Sequence, residues 1–286
     1  MTAIPDFKKD HIERLNRLTE IQIREMFEKA SEFDLCGTLK QGGAVIFPHS
    51  TVEVSGIFTA AAVNACLDSG ADRVLVIGCL HALTDEMDSA RRRVAEGKSP
   101  EGEEMWGIQG PGLKSRSEWE NEFSLLNFQF LWNFALRKRG IRPPELIMRY
   151  PFLAGGKPQA MPGIGELEEL VIRDAVIVAT MDPFHHGIGY GCAPASSFAP
   201  ESGGLDLARK VIREGLDIFE SGDHAAYNRH CVTAKSDGRD VGQVLRHLVG
   251  PCKTEILGLV SDDMHQMYGG ISPTWVAGAL IRVCKL

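Results

Sequence analysis

Short apolar runs alternate with helical segments along most of the chain. The first four runs are continuous and short, which is typical of strands buried on both faces of a sheet. Six strands are predicted, at residues 44–47, 73–78, 145–150, 174–179, 254–260 and 275–284. Helical spacing of apolar positions predicts helices at residues 6–33, 55–68, 118–138, 204–220 and 241–249. The succession of strand, helix and strand predicts an α/β fold with a central, largely parallel or mixed sheet flanked by helices.

The chain length of 286 residues fits one large α/β domain. No internal repeat or low-complexity linker interrupts it, so residues 1–286 are predicted to form a single catalytic domain. Residues 1–35 are interpreted as an N-terminal helical extension that serves packing or subunit contact. Residues 85–117 are polar and contain several glycines, which predicts a long excursion from the sheet. The pattern leaves open whether that excursion is a lid, a subunit contact or both.

Charge and composition exclude several classes of protein. The net charge of −7 and the absence of a clustered basic patch argue against a nucleic-acid partner. Seven scattered cysteines without C-x-x-C spacing argue against a disulfide framework and against a zinc ribbon. No apolar run reaches the length of a membrane span, and the start of the chain lacks a signal-peptide pattern. We therefore expect a cytoplasmic protein without a membrane partner, and the N-terminal helix and acidic balance suggest a homo-oligomer.

Polar residues that could bind a ligand or take part in catalysis follow three of the predicted strands. His49 comes after the first strand, His81 after the second, and Asp182, His185 and His186 after the strand at 174–179. A lone histidine after a strand is more often a structural residue than a ligand. Three such strand ends in one chain favour a site, because parallel strands bring their carboxyl ends to one edge of the sheet.

This convergence suits a metal ion. Two imidazoles and one carboxylate make the facial triad of non-haem Fe(II) oxygenases, which leaves coordination positions free for substrate and O₂. The spacing of the residues alone does not choose the carboxylate, and it leaves Asp182, Asp237, Asp262 and Asp263 as candidates.

Four segments around these residues carry a family resemblance, and a fifth, Glu122-Phe-Ser-Leu125, is similar to the pattern EHSLE with Phe123 and Leu126 in place of its histidine and second glutamate. The four segments read FPHSTVEVSG (47–56), VIGCLH (76–81), DAVIVATMDPFHHG (174–187) and SDGRDVGQVL (236–245). They are similar to the patterns PHAGYxxSG, ILGPSHH, VxxSSDFSHYG and CGRxPIxVLL of the Memo family, whose fold is shared with the class III (LigB-type) extradiol dioxygenases. The resemblance covers about residues 44–249 and is most specific at the histidines.

The resemblance implies roles for individual residues. His49 and His81 match the metal-binding histidines, and His185 matches the second-sphere histidine that serves the dioxygenases as acid and base. Asp182 matches the aspartate of the same motif. Asp237 stands where the Memo family has a cysteine; since a carboxylate beside two imidazoles suits Fe(II), this departure favours the dioxygenases over Memo itself.

The resulting hypothesis is an Fe(II)-dependent extradiol dioxygenase that cleaves a catechol-like or aminophenol-like aromatic ring with O₂. His185 would exchange the substrate proton, and Asp182 would orient or stabilise that imidazole. His186, Tyr190 and Tyr268 are candidate substrate-binding residues on the pocket wall. Two alternatives stay open: a zinc-dependent hydrolase that uses the same ligands, and a non-catalytic, Memo-like metal-binding protein.

Overall fold

Four parallel strands form the centre of the sheet in the computed structural model, which describes residues 6–113 and 117–286. Within that part of the chain the strands are β1 (Ala44–Phe47), β2 (Arg73–Ile77), β3 (Gly107–Gln109), β4 (Glu145–Phe152), β5 (Val176–Thr180), β6 (Phe184–Gly187), β7 (Cys252–Asp263) and β8 (Thr274–Lys285). Strands β4, β2, β5 and β1 lie side by side and parallel. The sheet order is β3-β4-β2-β5-β1-β8-β6, with β7 on β8. This single-domain α/β architecture with a mixed sheet confirms the predicted fold class.

Helices cover both faces of the sheet. In the described residues they are α1 (Phe7–Arg17), α2 (Glu20–Ala30), α3 (Cys36–Lys40), α4 (Val52–Ser69), α5 (Asp85–Ala95), α6 (Leu126–Arg139), α7 (Ile164–Ile172), α8 (Gly204–Ser221), α9 (His224–Ala234) and α10 (Arg239–Val249). Short 3-10 helices lie at Ser117–Asn121, Pro158–Ala160, Ile188–Tyr190, Pro194–Ser196, Pro200–Ser202 and His265–Tyr268.

The central strands are mostly apolar because each of their faces packs against a helical layer. Alternate residues of β1 show this: Val45 and Phe47 belong to one core with α2, α4, α5 and α6. Ala44 and Ile46 belong to the opposite core, with α7, α8, α9 and α10. Successive side chains of a strand point to opposite faces, so a strand between two layers has no polar side.

The predicted helix at residues 6–33 is two helices, α1 and α2. The break falls at Leu18 and Thr19, both of which have extended backbone angles. The Thr19 side chain accepts a hydrogen bond from the backbone N–H of Gln22, and the Gln22 side chain accepts one from Thr19. This capping box starts a new helix inside a continuous helical pattern. The first five residues of the predicted extension lie outside the described residues.

The predicted excursion at residues 85–117 contains regular structure. Helix α5 begins after Thr84, whose hydroxyl caps the N–H of Met87, and buries Met87, Ala90 and Val94. Strand β3 then pairs antiparallel with the end of β4. The many charged residues of α5 lie on its outer side. They make the segment polar in overall composition, so its narrow apolar stripe was not recognised as a helix. Residues 114–116 of the excursion lie outside the described part of the chain.

Strand β8 extends the sheet beyond the parallel centre. Its second half pairs with β1, its first half pairs with β6, and β7 pairs along nearly its whole length. The structure confirms both predicted C-terminal strands and adds β6, which carries His185 and His186. Among the described residues, no helix combines the length and the apolar character needed to cross a membrane.

Glu220 joins the end of α8 to β7 and generates a prediction about acid stability. Its carboxylate accepts hydrogen bonds from Lys253, from Arg213 and from the backbone and side chain of Thr254. Burial alone would raise the pKa of Glu220, but these partners lower it to about 2. A carboxylate with a lowered pKa stabilises the folded state above its unfolded pKa, and that contribution is lost as the pH falls toward the folded value.

As the pH falls from about 4.5 to 2, the wild type should lose unfolding free energy because Glu220 becomes protonated. We therefore expect Glu220→Gln to lose less unfolding free energy over the same range, measured by urea unfolding at each pH. Asp217→Asn is the matched control, since Asp217 pairs with the same Arg213 but is mostly exposed. Equal pH dependence in wild type and Glu220→Gln would contradict the assignment.

Candidate metal centre

The ends of three neighbouring strands bring the candidate ligands together. His49 follows β1, His81 follows β2 and Asp182 follows β5, and β5 lies between the other two. Because these strands are parallel, their carboxyl ends share one edge of the sheet. Asp237 reaches the same place from the turn between α9 and α10. In the described residues, His49, His81 and Asp237 form the one group of three or more histidine, cysteine or acidic side chains whose ligand atoms all lie within 4.8 Å of one another.

The ring of His49 is oriented by Thr180 at the end of β5. The Thr180 hydroxyl donates to the carbonyl of Phe47 at 2.9 Å, so it can only accept from the His49 Nδ1, which lies 3.1 Å away. Nδ1 of His49 is therefore the N–H donor. Its Nε2 is left to face the centre of the site.

The ring of His81 is oriented by Glu122, a fully buried carboxylate. Glu122 Oε1 lies 2.9 Å from His81 Nδ1, and its Oε2 accepts the backbone N–H of His81 at 2.6 Å. The backbone N–H groups of Phe123 and Ser124 also donate to Oε1. Burial alone would raise the pKa of Glu122, but His81 and these N–H groups lower it to about 2. A histidine that binds a metal usually donates its other ring N–H to a group such as a carboxylate, which fixes the orientation of the ring.

Asp237 supplies the carboxylate of the site. Its Oδ1 accepts the backbone N–H of Asp182 at 2.8 Å, whereas its Oδ2 is buried without a hydrogen bond. The Nε2 atoms of His49, His81 and His185 lie 3.0, 3.7 and 3.7 Å from that oxygen. Donors that share one ion at about 2.1 Å in octahedral geometry lie about 3 Å apart. The orphaned oxygen and the imidazoles around it therefore fit a divalent cation.

The charges of this cluster indicate competition between protons and a cation. Burial alone would lower the pKa of His49, but the carboxylates of Asp237 and Asp182 outweigh it and raise that pKa. Burial alone would also lower the pKa of His81, but the carboxylates of Glu122 and Asp237 outweigh it and raise that pKa to about 10. Because each Nδ1 already holds its hydrogen, Nε2 is the position that exchanges a proton for a metal ion.

Asp182 and His185 lie beside the three ligands. Asp182 Oδ2 is 3.9 Å from His49 Nε2, and its Oδ1 accepts the backbone N–H of His49 at 3.4 Å. Burial and the neighbouring Asp237 raise the pKa of Asp182 to about 7. Burial lowers the pKa of His185 to about 4, although Asp237 opposes this effect. The carboxyl group of Asp182 thus contacts His49 and not the imidazole of His185 that it was predicted to orient.

A cavity of about 680 Å³ opens on this cluster. Tyr190 and Tyr268 line it as predicted, with their rings 4.7 Å apart and Tyr190 edge-on to His185 at 4.8 Å. The predicted pocket residue His186 lies on the other face of β6, where its Nε2 accepts the backbone N–H of Phe198 and its ring stacks on Phe184. His186 is not among the residues that line the cavity.

Two of the carboxylates left open by the sequence serve other purposes. Asp262 accepts the backbone N–H of Thr51 at 2.7 Å, which fixes the start of α4. Asp263 is mostly exposed and pairs with His265 at 2.7 Å. Since neither belongs to the ligand group, the geometry favours Asp237.

Several residues at the site were missed by the sequence analysis. Glu122 and Thr180 orient the histidines through contacts between residues far apart in the chain, for which local spacing gives no signal. The similarity to EHSLE singled out the segment of Glu122 but assigned that residue no role. The ring of Phe123 stacks on that of His81 with centroids 4.4 Å apart, and it contacts the tilted ring of His11 of α1 with centroids 5.1 Å apart. His11 is buried, lines the cavity and has no hydrogen bond at Nδ1. The N-terminal helix, expected to serve packing or subunit contact, therefore also forms a wall of the cavity.

Comparison with known proteins does not extend the resemblance. No protein-family model and no curated protein matches the chain. A function for this chain is therefore a proposal that combines the resemblance with the geometry of the site.

Glu122 gives a test of the metal centre that is independent of catalysis. Glu122→Gln keeps the shape of the side chain but removes the charge behind His81, so we expect Zn²⁺ and Co²⁺ affinity to fall about 10- to 100-fold. Competition with a chromophoric chelator measures this change. Glu145→Gln removes an exposed carboxylate that pairs with Arg73 and serves as the control. Unchanged affinity in Glu122→Gln would argue against His81 as a ligand.

Proposed function

We propose that this protein is a non-haem Fe(II)-dependent dioxygenase that opens a catechol-like or aminophenol-like ring with O₂. The observation that carries the proposal is the buried Asp237 Oδ2, which accepts no hydrogen bond and has the Nε2 atoms of His49 and His81 at 3.0 and 3.7 Å. Two imidazoles and one carboxylate are the donor set of the Fe(II) facial triad. The class III extradiol dioxygenase resemblance suggests the same set.

The cavity supports a small aromatic substrate. Its volume of about 680 Å³ lies within the usual range for small-molecule pockets, roughly 300–1,000 Å³. Aromatic side chains from three parts of the chain, Phe7, Phe123 and Tyr190, line it and offer flat apolar contact to a ring. Fe(II) held by three protein ligands would supply Lewis acidity and free positions for two substrate oxygens and O₂.

We assign the transfer of the substrate proton to His185. Its Nε2 lies 3.7 Å from the same Asp237 oxygen that faces the two ligand histidines, so it borders the position of the reacting group. The imidazole is buried and lines the cavity, where a substrate hydroxyl can reach it. In this role His185 accepts the hydroxyl proton as the substrate binds and returns it later in the reaction. Asp182, beside His49, is a second group able to hold a proton in the cavity.

The same ligands support one rival reaction. Zinc also binds two histidines and a carboxylate, and the carboxyl group of Asp182 could activate a water molecule for hydrolysis. A non-catalytic metal-binding protein would need the ligands but neither His185 nor the cavity. The identity of the bound metal and the consumption of O₂ separate these alternatives.

The first test is elemental analysis of anaerobically purified protein together with an O₂-electrode assay on a panel of catechols and aminophenols. We expect near-stoichiometric iron and substrate-dependent O₂ uptake, both lost in His49→Ala because one of three ligands is removed. His247→Ala, which removes a histidine paired with Glu168 on the surface, should retain both. Tightly held zinc without O₂ uptake would instead support the hydrolase.

The second test concerns His185. His185→Ala should retain iron, because the three ligands remain, but should lower kcat about 10²- to 10⁴-fold, the usual contribution of a general acid or base. Iron content and single-turnover rates with the best substrate of the panel measure the two effects. Normal turnover in iron-loaded His185→Ala would remove His185 from the mechanism.

A further inference from the structure

A cysteine and a lysine are paired beside the metal centre. The Nζ atom of Lys235 lies 3.0 Å from the Sγ atom of Cys192. Within residues 6–113 and 117–286 that sulfur is the only hydrogen-bond partner of the ammonium group. Cys192 does not line the cavity, but it is half-buried, so a molecule as small as O₂ can reach its sulfur. Partly exposed thiols beside a cation are the ones at which cysteine oxidation is selective.

A second N–H group, from His186, faces the same sulfur. The Nε2 atom of His186 accepts the backbone N–H of Phe198 at 3.0 Å, so it carries no hydrogen, and the hydrogen of the ring is on Nδ1. Nδ1 lies 3.8 Å from Cys192 Sγ. Because both neighbours of the sulfur are donors, the sulfur accepts from each of them, and its electron pairs face the amine and the imidazole.

The backbone holds both side chains in this position. Cys192 follows Gly191, whose φ of 74° is left-handed, and its N–H donates to the carbonyl of Gly187 at 3.1 Å. Lys235 ends α9 with φ 55°, also left-handed, and its N–H donates to the carbonyl of Val232. A left-handed φ is uncommon for a residue with a side chain and persists where the surrounding structure fixes it. The contact between sulfur and nitrogen therefore joins two anchored turns.

The other six cysteines lack this arrangement. In the part of the chain that the structure describes, none of their sulfur atoms accepts a hydrogen bond from a lysine. Four of them are buried and two are accessible: Cys66, Cys79, Cys231 and Cys252, and Cys36 and Cys284. The accessible ones are natural controls, because they share the exposure of Cys192 but not its amine.

We propose that Cys192 and Lys235 are a site of oxidative modification, at which O₂ links the two side chains through one oxygen atom as a sulfur–oxygen–nitrogen bridge. That oxygen atom forms bonds to Sγ and Nζ, which replace the S–H bond and one N–H bond. The two hydrogens leave with the second oxygen atom as water, and the ammonium group gives its extra proton to solvent. Sulfur and nitrogen each lose two electrons, and O₂ gains the four.

The bridge would connect two segments that border the cavity. Lys235 precedes Asp237 in the turn between α9 and α10, and Cys192 follows the 3-10 helix that carries Tyr190. A covalent link would therefore fix the turn that holds the carboxylate relative to the wall formed by Tyr190. Its formation needs O₂ but neither a metal ion nor a substrate, so it is independent of the proposed dioxygenase activity.

Peptide mass spectrometry of the full chain, digested without a reducing agent, tests the proposal. After storage in air-saturated buffer, we expect the peptides that contain Cys192 and Lys235 to be joined. Their mass should be about 14 Da above the sum of the two peptides, because two hydrogens are lost and one oxygen is gained. Dithiothreitol should separate them, since a thiol can attack the oxidised sulfur. Protein purified and kept without O₂ should lack the link.

Three variants identify the atoms involved. Cys192→Ser removes the sulfur, and Lys235→Arg keeps the positive charge but replaces the amine by a guanidinium, so both should lose the link. Cys284→Ser removes the accessible thiol beside Lys285 in β8 and should retain it.

Absence of the joined peptides from air-exposed wild type would overturn the proposal. Oxidation of Cys192 without attachment to Lys235 would do the same, as would a link that persists in Lys235→Arg. The comparison of wild type with and without O₂ decides the result even where a variant does not fold.

Discussion

The hydrogen bond from the backbone N–H of Asp182 to Oδ1 of Asp237 determines the geometry of the candidate site. It spans 2.8 Å and joins the end of β5 to the turn between α9 and α10. With Oδ1 held in this way, Oδ2 must face the imidazoles. Gly238 makes the approach sterically feasible, since a Cβ at this position would lie 2.6 Å from the sulfur of Met181. A side chain there would push the carboxylate away from the histidines.

Several charged side chains are buried at the site. The contacts around them explain why the folded protein tolerates these charges. Glu122 is held as a carboxylate by backbone N–H groups and His81, while Asp237 has one oxygen satisfied and one free. Buried charges are costly unless they are paired or coordinate a metal. A divalent cation among these ligands would satisfy the free oxygen and both Nε2 atoms together. The folded chain thus prepares the site before any ion binds, and ion binding would in turn stabilise the fold.

Much of the fold follows from local pattern, and the exceptions have identifiable causes. Continuous apolar runs such as Ala44–Phe47 predict buried strands because both faces of the sheet are covered by helices. Strand β6 escaped prediction because its sequence, Phe184–Gly187, is short and polar, and its partner β8 supplies the pairing from far along the chain. Helix α5 was not predicted because most of its residues are charged or polar, and only three of them are buried.

The sequence by itself determined six of the eight strands in the described residues, their order in the chain and the histidines at the ends of β1 and β2. Residue spacing could not choose among four carboxylates, and Asp237 was favoured only through the family resemblance, because that choice depends on which loop the α9–α10 packing brings to the sheet edge. Only the tertiary structure placed Glu122 behind His81, His11 over Phe123 and Arg91 beside Asp240. These contacts join residues with no local relation in sequence, and side-chain direction and charge sharing arise only when distant elements pack together.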